Sequence, residues 1–204
     1  MPKVVDDTVY DAALDQVINN ASQVVLCEGE PADYTEATTD KGSGGVALGE
    51  VAVDATNFDG PLDGDTSGRK ITLTSLSGVS VDVTGAVDHF AITDDNNSIL
   101  LLVDTAEQAD IVGVDTGTDT ITIDGDHTAD IEADDYVTIR GGTANDGIYT
   151  VSSVSLNGSD TDITVNETID DGTVAGICIY GAQHLTSGNS TDVNGFDFEI
   201  QDPS

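Results

Sequence analysis

The chain has 204 residues, of which 39 are Asp or Glu and only 5 are Lys or Arg, giving a net charge of −34. That balance excludes sequence-independent binding to nucleic-acid phosphates, which needs a basic patch, and docking on an anionic membrane face; Lys3, Lys41, Arg69, Lys70 and Arg140 are scattered, and only Arg69 and Lys70 are adjacent. No apolar run approaches the roughly 18 residues of a spanning helix, and the first residues lack the apolar core of a secretory signal, so synthesis in the cytoplasm with no export address is expected. Such charge with only 38% hydrophobic residues, 4 Phe, 5 Tyr, 1 Met and no Trp usually implies disorder. Regular alternation through most of the chain argues for folded β-structure instead.

Residues 6–21 predict the one convincing helix, with Asp6 or Asp7 as its cap and Val9, Ala12, Ala13, Val17 and Ala21 as an apolar stripe at helical spacing. Residues 23–27 then form a short apolar strand. Pro31 starts a single helical turn over 31–37, and 41–45 is a Gly-rich loop. From Val46 the pattern becomes β, with candidate strands at 46–53, 70–75, 79–83, 87–93 and 99–105. Asp63-Gly64, Ser77-Gly78, Thr84-Gly85 and 94–97 act as turn signals, and Leu76-Ser-Gly-Val79 is a candidate tight hairpin.

Around Ile111 the texture changes. Residues 119–124, 136–139, 148–151 and 161–165 alternate apolar and polar side chains, and 173–180 closes the series. Five or six short strands with Gly-rich turns over about 70 residues suggest a small barrel or sandwich. A last strand, 195–201, places Phe196, Phe198 and Ile200 on one face and Asp197 and Glu199 on the other. The fold class expected is mainly β: a sandwich or barrel base domain with one N-terminal helix, plus an inserted small barrel-like β domain. The base spans 1–108 and 180–204, and the insert spans 109–179.

Cys27 and Cys178 each sit in an apolar strand-like run and read as buried free thiols, although pairing is open. The Asp-rich turns 63–68 and 124–127 supply oxygen ligands of the kind hard cations require. Asp63, Asp65, Asp124 and Asp126 are therefore the metal candidates, for K, Na, Ca or Mg as structural cations. With 31 Asp in the chain, solvated turns are the default reading of such pairs. His89, His127 and His184 are isolated, and no nucleophile elbow accompanies them. Gly141-Gly-Thr-Ala-Asn-Asp-Gly147 has neither the Lys nor the following helix of a phosphate cradle. No catalytic and no cofactor-binding residue is nominated, and the chain does not read as an enzyme.

Abundant Asp, scarce Lys and small apolar side chains resemble the proteins of salt-in halophiles, haloarchaea especially; an ordinary acidic secreted or viral β-protein is the alternative. A second resemblance lies in a series of phrases. They are Val5-Asp-Asp-Thr-Val-Tyr-Asp-Ala-Ala-Leu-Asp15 through Ala21, Leu26-Cys-Glu-Gly-Glu-Pro31, Tyr34-Thr-Glu-Ala37, Phe58-Asp-Gly-Pro-Leu-Asp-Gly-Asp-Thr-Ser-Gly-Arg-Lys70, Val87-Asp-His-Phe-Ala-Ile-Thr-Asp94 and Phe196-Asp-Phe-Glu-Ile-Gln-Asp-Pro203. In this order they resemble a family of small structural proteins, similar to head decoration or cement proteins, of tailed phages and haloarchaeal tailed viruses. The match covers 1–108 and 180–204; the family pattern passes almost directly from one to the other, and about 70 residues intervene here. Insertion at a loop costs little closure entropy. The intervening module looks like small domains on phage structural proteins, through 135–142 and 145–151.

The resemblance implies a capsid decoration, cement or turret protein of a halophilic tailed virus, acting by binding and oligomerisation on the virion surface. Its partners would be the major capsid protein and further copies of itself, as a trimer or pentamer, with no nucleic acid and no membrane. The alternatives are a tail-associated protein or host-surface adhesin and, from another class, a polysaccharide hydrolase.

Overall fold

The computed structural model describes residues 5–181 and 183–202. The first elements are α1 (Asp7–Asn20), β1 (Gln23–Cys27), α2 (Tyr34–Thr38), β2 (Ala47–Ala52), β3 (Phe58–Asp63), β4 (Arg69–Leu73), β5 (Leu76–Ser80), β6 (Gly85–Val87), β7 (His89–Asp94) and β8 (Ile99–Thr105). There follow β9 (Gln108–Asp115), β10 (Thr120–Ile123), β11 (Tyr136–Arg140), β12 (Gly147–Asn157), β13 (Asp160–Val165), β14 (Ile177–Ile179), β15 (Gln183–Leu185), β16 (Ser190–Val193) and β17 (Phe196–Ile200). The protein is mainly β, of sandwich type, with one main helix. It divides into two compact units. One comprises Met1–Thr84, Phe90–Asp104 and Leu185–Ser204, the other Gly85–His89 and Thr105–His184.

In the first unit, Asp6 caps α1 by accepting from the Thr8 backbone N–H and hydroxyl, as a short acceptor at this position should. The helix buries Tyr10, Leu14, Val17 and Ile18, while Val9 is 58% exposed and Ala12 and Ala13 face solvent. The stripe read from the sequence is thus displaced: only Val17 and Ala21 belong to it, because the larger side chains at Tyr10, Leu14 and Ile18 remove more apolar area from water. β1 and β7 are the central strands of a sheet ordered β2-β1-β7-β8. Val24, Val25, Leu26 and Cys27 are all buried on β1, so its run is continuous rather than alternating.

A second, three-stranded sheet is ordered β17-β4-β3, and β5 pairs with β16. Ser77-Gly78 makes no hairpin. β5 continues through it as a bulge, with Gly78 at φ 70 and its N–H donating to the Asp192 carboxylate. β3, which the sequence did not announce, pairs with β4 across a bulge between Asp59 and Leu62. On β17, Phe196, Phe198 and Ile200 are half-buried, and so is Glu199, while Asp197 is exposed.

The second unit is a closed six-stranded barrel, in the order β10-β13-β12-β11-β14-β9. Its core holds Ile111, Ile121, Ile123, Val137, Ile139, Val151, Ile163, Val165 and Cys178, with Ile131 and Ile169 contributed by loops. The alternation of β10 and β13 explains itself here. Ile121 faces Ile163 across the ladder inside the barrel. Outside, Thr120 and Thr164 share a hydrogen bond of 3.0 Å, and the Thr122 hydroxyl donates to Asp162 at 2.6 Å. The unit also takes in Gly85–His89, outside the 109–179 read from the sequence, because β6 pairs with β15 and Asp88 bonds to Arg140. Cys27 and Cys178 are buried thiols, not joined in a disulfide, and burial pushes the Cys178 thiol up to about 12.

Candidate functional site

The groups with chemical potential gather on the second unit, outside its core. On β11, Val137 and Ile139 point inward, so Tyr136, Thr138 and Arg140 share the outward face. The middle of that face is covered. Thr138 is fully buried, with its hydroxyl making no hydrogen bond among the described residues. Arg140 donates to Asp88 at 2.9 Å, and the Tyr136 ring lies 5.1 Å from that of His184.

Asp88 is completely buried. It pairs with His89 Nδ1 at 2.8 Å as well as with Arg140, which satisfies the rule that a buried charge needs a partner. Beside the stacked Tyr136 and His184 is a cleft of about 550 Å³, lined further by Asp130, Asp134, Asp135, Gly181 and Gln183. Its size suits a small ligand, and its lining is acidic and hydrogen-bond accepting.

A second cleft, of about 310 Å³, is lined by Gln108, Ala109, Asp110, Asp124, His127 and Ile177. The ring of His127 is fixed on both sides. Nε2 lies 3.1 Å from the Asp124 carbonyl oxygen, an obligatory acceptor, so Nε2 carries hydrogen. Nδ1 lies 2.9 Å from the Tyr180 hydroxyl and 3.5 Å from the Asp130 carboxylate. Burial, helped by Glu107 and Asp130, pushes the Tyr180 hydroxyl up from its ordinary value. The loop holding His127 is itself anchored by buried Thr161, whose hydroxyl accepts from the His127 N–H and donates to the Gly125 carbonyl, both at 2.8 Å.

Of the four metal candidates, Asp124 lines this second cleft, and its carbonyl oxygen orients His127. The Asp126 carboxylate takes the backbone N–H and hydroxyl of Thr128, which lowers its pKa. Asp63 and Asp65 lie in the first unit, at the turn between β3 and β4. Asp63 pairs with Arg69, which also holds Asp11 at 2.7 Å. Asp65 pairs with Lys70 at 2.6 Å, and Lys70 bridges on to Asp197 at 2.6 Å. The carboxylates of Asp63, Asp65 and Asp126 are thus each engaged by a side chain or backbone donor. Among the described residues no group of three or more His, Cys, Asp or Glu is placed to hold a metal ion.

The Asp88–Arg140 pair, the Tyr136–His184 stack and the Thr161 anchor were not legible as sites. Their members lie 52, 48 and 36 residues apart, counting the last from Gly125. One signal existed: Asp88 and His89 interrupt an otherwise apolar stretch, Ala86 to Ile92, in a chain with five bases, and a buried carboxylate must claim one of them.

A scan against protein-family models, a search of characterised proteins and a search of solved structures return no match to this chain.

Proposed function

We propose that the chain is a structural protein of the virion of a halophilic tailed virus, a decoration, cement or turret protein that works by binding. The observation that carries this reading is how its charged and imidazole groups are spent. All four basic residues within the described chain, Lys41, Arg69, Lys70 and Arg140, are tied to carboxylates. Each histidine serves a structural contact: His89 with Asp88, His127 with Tyr180, His184 with Tyr136. The charge that faces solvent is overwhelmingly carboxylate, carried on a β framework, and such a surface stays hydrated and dispersed in brine. The phrases behind the resemblance fall on framework elements, α1, β1, α2, β3, β7 and β17. Repeated weak contacts of many copies with the major capsid protein would supply avidity through effective concentration.

A host-surface adhesin is the second reading, favoured by the cleft beside Tyr136 and His184, where an aromatic face and hydrogen-bond acceptors adjoin. Quantitative mass spectrometry of purified virions, separated into heads and tails, tests both. Many copies with heads are expected. Recovery with tails alone transfers the assignment to the adhesin, and absence from virions overturns the structural reading.

A further inference from the structure

The sheet edges of the first unit are guarded in different ways. The outer edge of β2 is closed by the segment after β5: Asp82 and Val83 N–H both donate to the Leu48 carbonyl, at 2.8 and 3.0 Å. The approach is so close that a Cβ on Gly49 would lie 2.1 Å from the Ser80 carbonyl oxygen. β3 carries Asp59, Pro61 and Asp63, and β17 carries Asp197 and Glu199. Proline and charge are the usual deterrents on exposed edges.

β8 has none of these over Ile99-Leu-Leu-Leu-Val103. Among the described residues it ends its sheet, with β7 as its one neighbour. Ile99 is 47% exposed, and 100–103 are half-buried. In a chain with 39 acidic residues among 204, five consecutive large apolar residues on an open edge mark a pairing surface.

We propose that β8 pairs antiparallel with β8 of a second copy, continuing the sheet across a twofold axis at Leu101. The argument is register and charge. Twofold pairing within one sheet places residues on the same face opposite one another. Centred on Leu101, it sets Ile99 against Val103, Leu100 against Leu102 and Leu101 against itself, and Asp104 against Ser98. No carboxylate then faces another, which would be unfavourable. Shifting the centre to Leu102 sets Asp104 against Leu100, and shifting it to Leu100 sets Leu102 against Ser98 and Val103 against Asn97. Only the Leu101 register pairs all five apolar residues with one another. The chain's net charge opposes association in dilute buffer, so pairing strengthens as salt screens it.

Sedimentation equilibrium of the full chain at micromolar concentration in molar KCl tests the proposal. A mass of two chains, or an even multiple, is expected. Leu101→Lys halves the mass and weakens association at least tenfold, with an unchanged circular dichroism spectrum. Ile99→Lys, at the more exposed end, does the same should Leu101→Lys fail to fold. Leu101→Cys is captured as a dimer by a short bismaleimide, while Val174→Cys, an exposed position in the second unit, is not; the native thiols are buried. A wild-type monomer in molar KCl overturns the proposal. So does a trimer or pentamer whose mass survives both Lys substitutions, or equal capture of the two Cys variants. None of these outcomes depends on where the protein resides, so this inference and the virion reading fail separately.

Discussion

The two units solve the same problem, an acidic β-sheet in water, in opposite ways. The barrel has no free edge, because β9 closes onto β10, and closure removes the liability at once. Its outward positions on β10 and β13 are Thr and Asp: Thr120, Thr122, Asp160, Asp162 and Thr164. The first unit keeps open sheets and defends three of its edges with separate devices: a backbone clamp on β2, Pro61 on β3, carboxylates on β17. Closure is a property of the whole ladder, whereas edge protection depends on single residues. The barrel should accordingly tolerate surface charge, and the first unit should be vulnerable at identifiable positions.

The largest expected effect tests how far closure offsets repulsion. The barrel unit holds seventeen of the 39 acidic residues with Arg140 as its one base; the first unit, with more residues, holds the other twenty-two with four bases. Raising KCl from 0.1 M to molar concentrations should lift the melting temperature by on the order of 10 °C, as a few kcal/mol do in a chain of this length. Hydrogen exchange should show the larger gain in barrel amides. A melting temperature indifferent to salt removes the halophile reading.

Next comes the buried charge of the second unit. Asp88→Asn leaves Arg140 and His89 without their carboxylate and should cost about 3 kcal/mol, the low end for a broken buried pair, since the Arg140 side chain is 36% exposed. Urea titration reads this directly. Smaller, and confined to the first unit, is Gly49→Ala. Its Cβ collides with the Ser80 carbonyl, so the clamp must lift from β2 at a cost of about 1–3 kcal/mol. Faster exchange of the Asp82 and Val83 amides is the signature.

The smallest effect is acid loosening of one barrel loop. Hydrogen bonds from the Thr143 and Thr173 hydroxyls hold the Asp171 carboxyl down to about 2, from an ordinary 3.8. Its stabilising contribution is therefore complete above pH 4 and is lost as pH falls towards 2. NMR titration of the Asp171 carboxyl should show the low midpoint, and Thr143→Val should move it back towards 3.8.

The same contrast decides what could be read from the sequence. β10, β11 and β13 were legible because a small barrel sorts inward from outward residues at every step, as Ile121 and Ile123 against Thr120 and Thr122 show. β12 was read only over 148–151; beyond its bulge Val154 and Leu156 resume the alternation one step out of phase, paired with β13 as far as Asn157. β9 hid behind Gly113 and a single well-buried residue, Ile111. In the first unit local chemistry misled. Ser77-Gly78 has the composition of a turn, yet it forms a bulge within β5, with Leu76 and Val79 on either side paired to β16. The α1 stripe was chosen by spacing alone, when side-chain size set the buried face. The candidate site was less legible still, since each partnership joins residues that only the completed barrel brings together.

The hairpin of β12 and β13 has a use in engineering. Its turn at Gly158 stands at φ 71 with nothing within 4 Å of where a Cβ would sit, and Ser155, Leu156, Asn157 and Ser159 around it are exposed. A foreign peptide spliced after Gly158 would lengthen a turn already in solvent and leave the ladder below it intact. The hairpin is thus a ready port for an epitope or fluorophore, and a label there would report on the barrel.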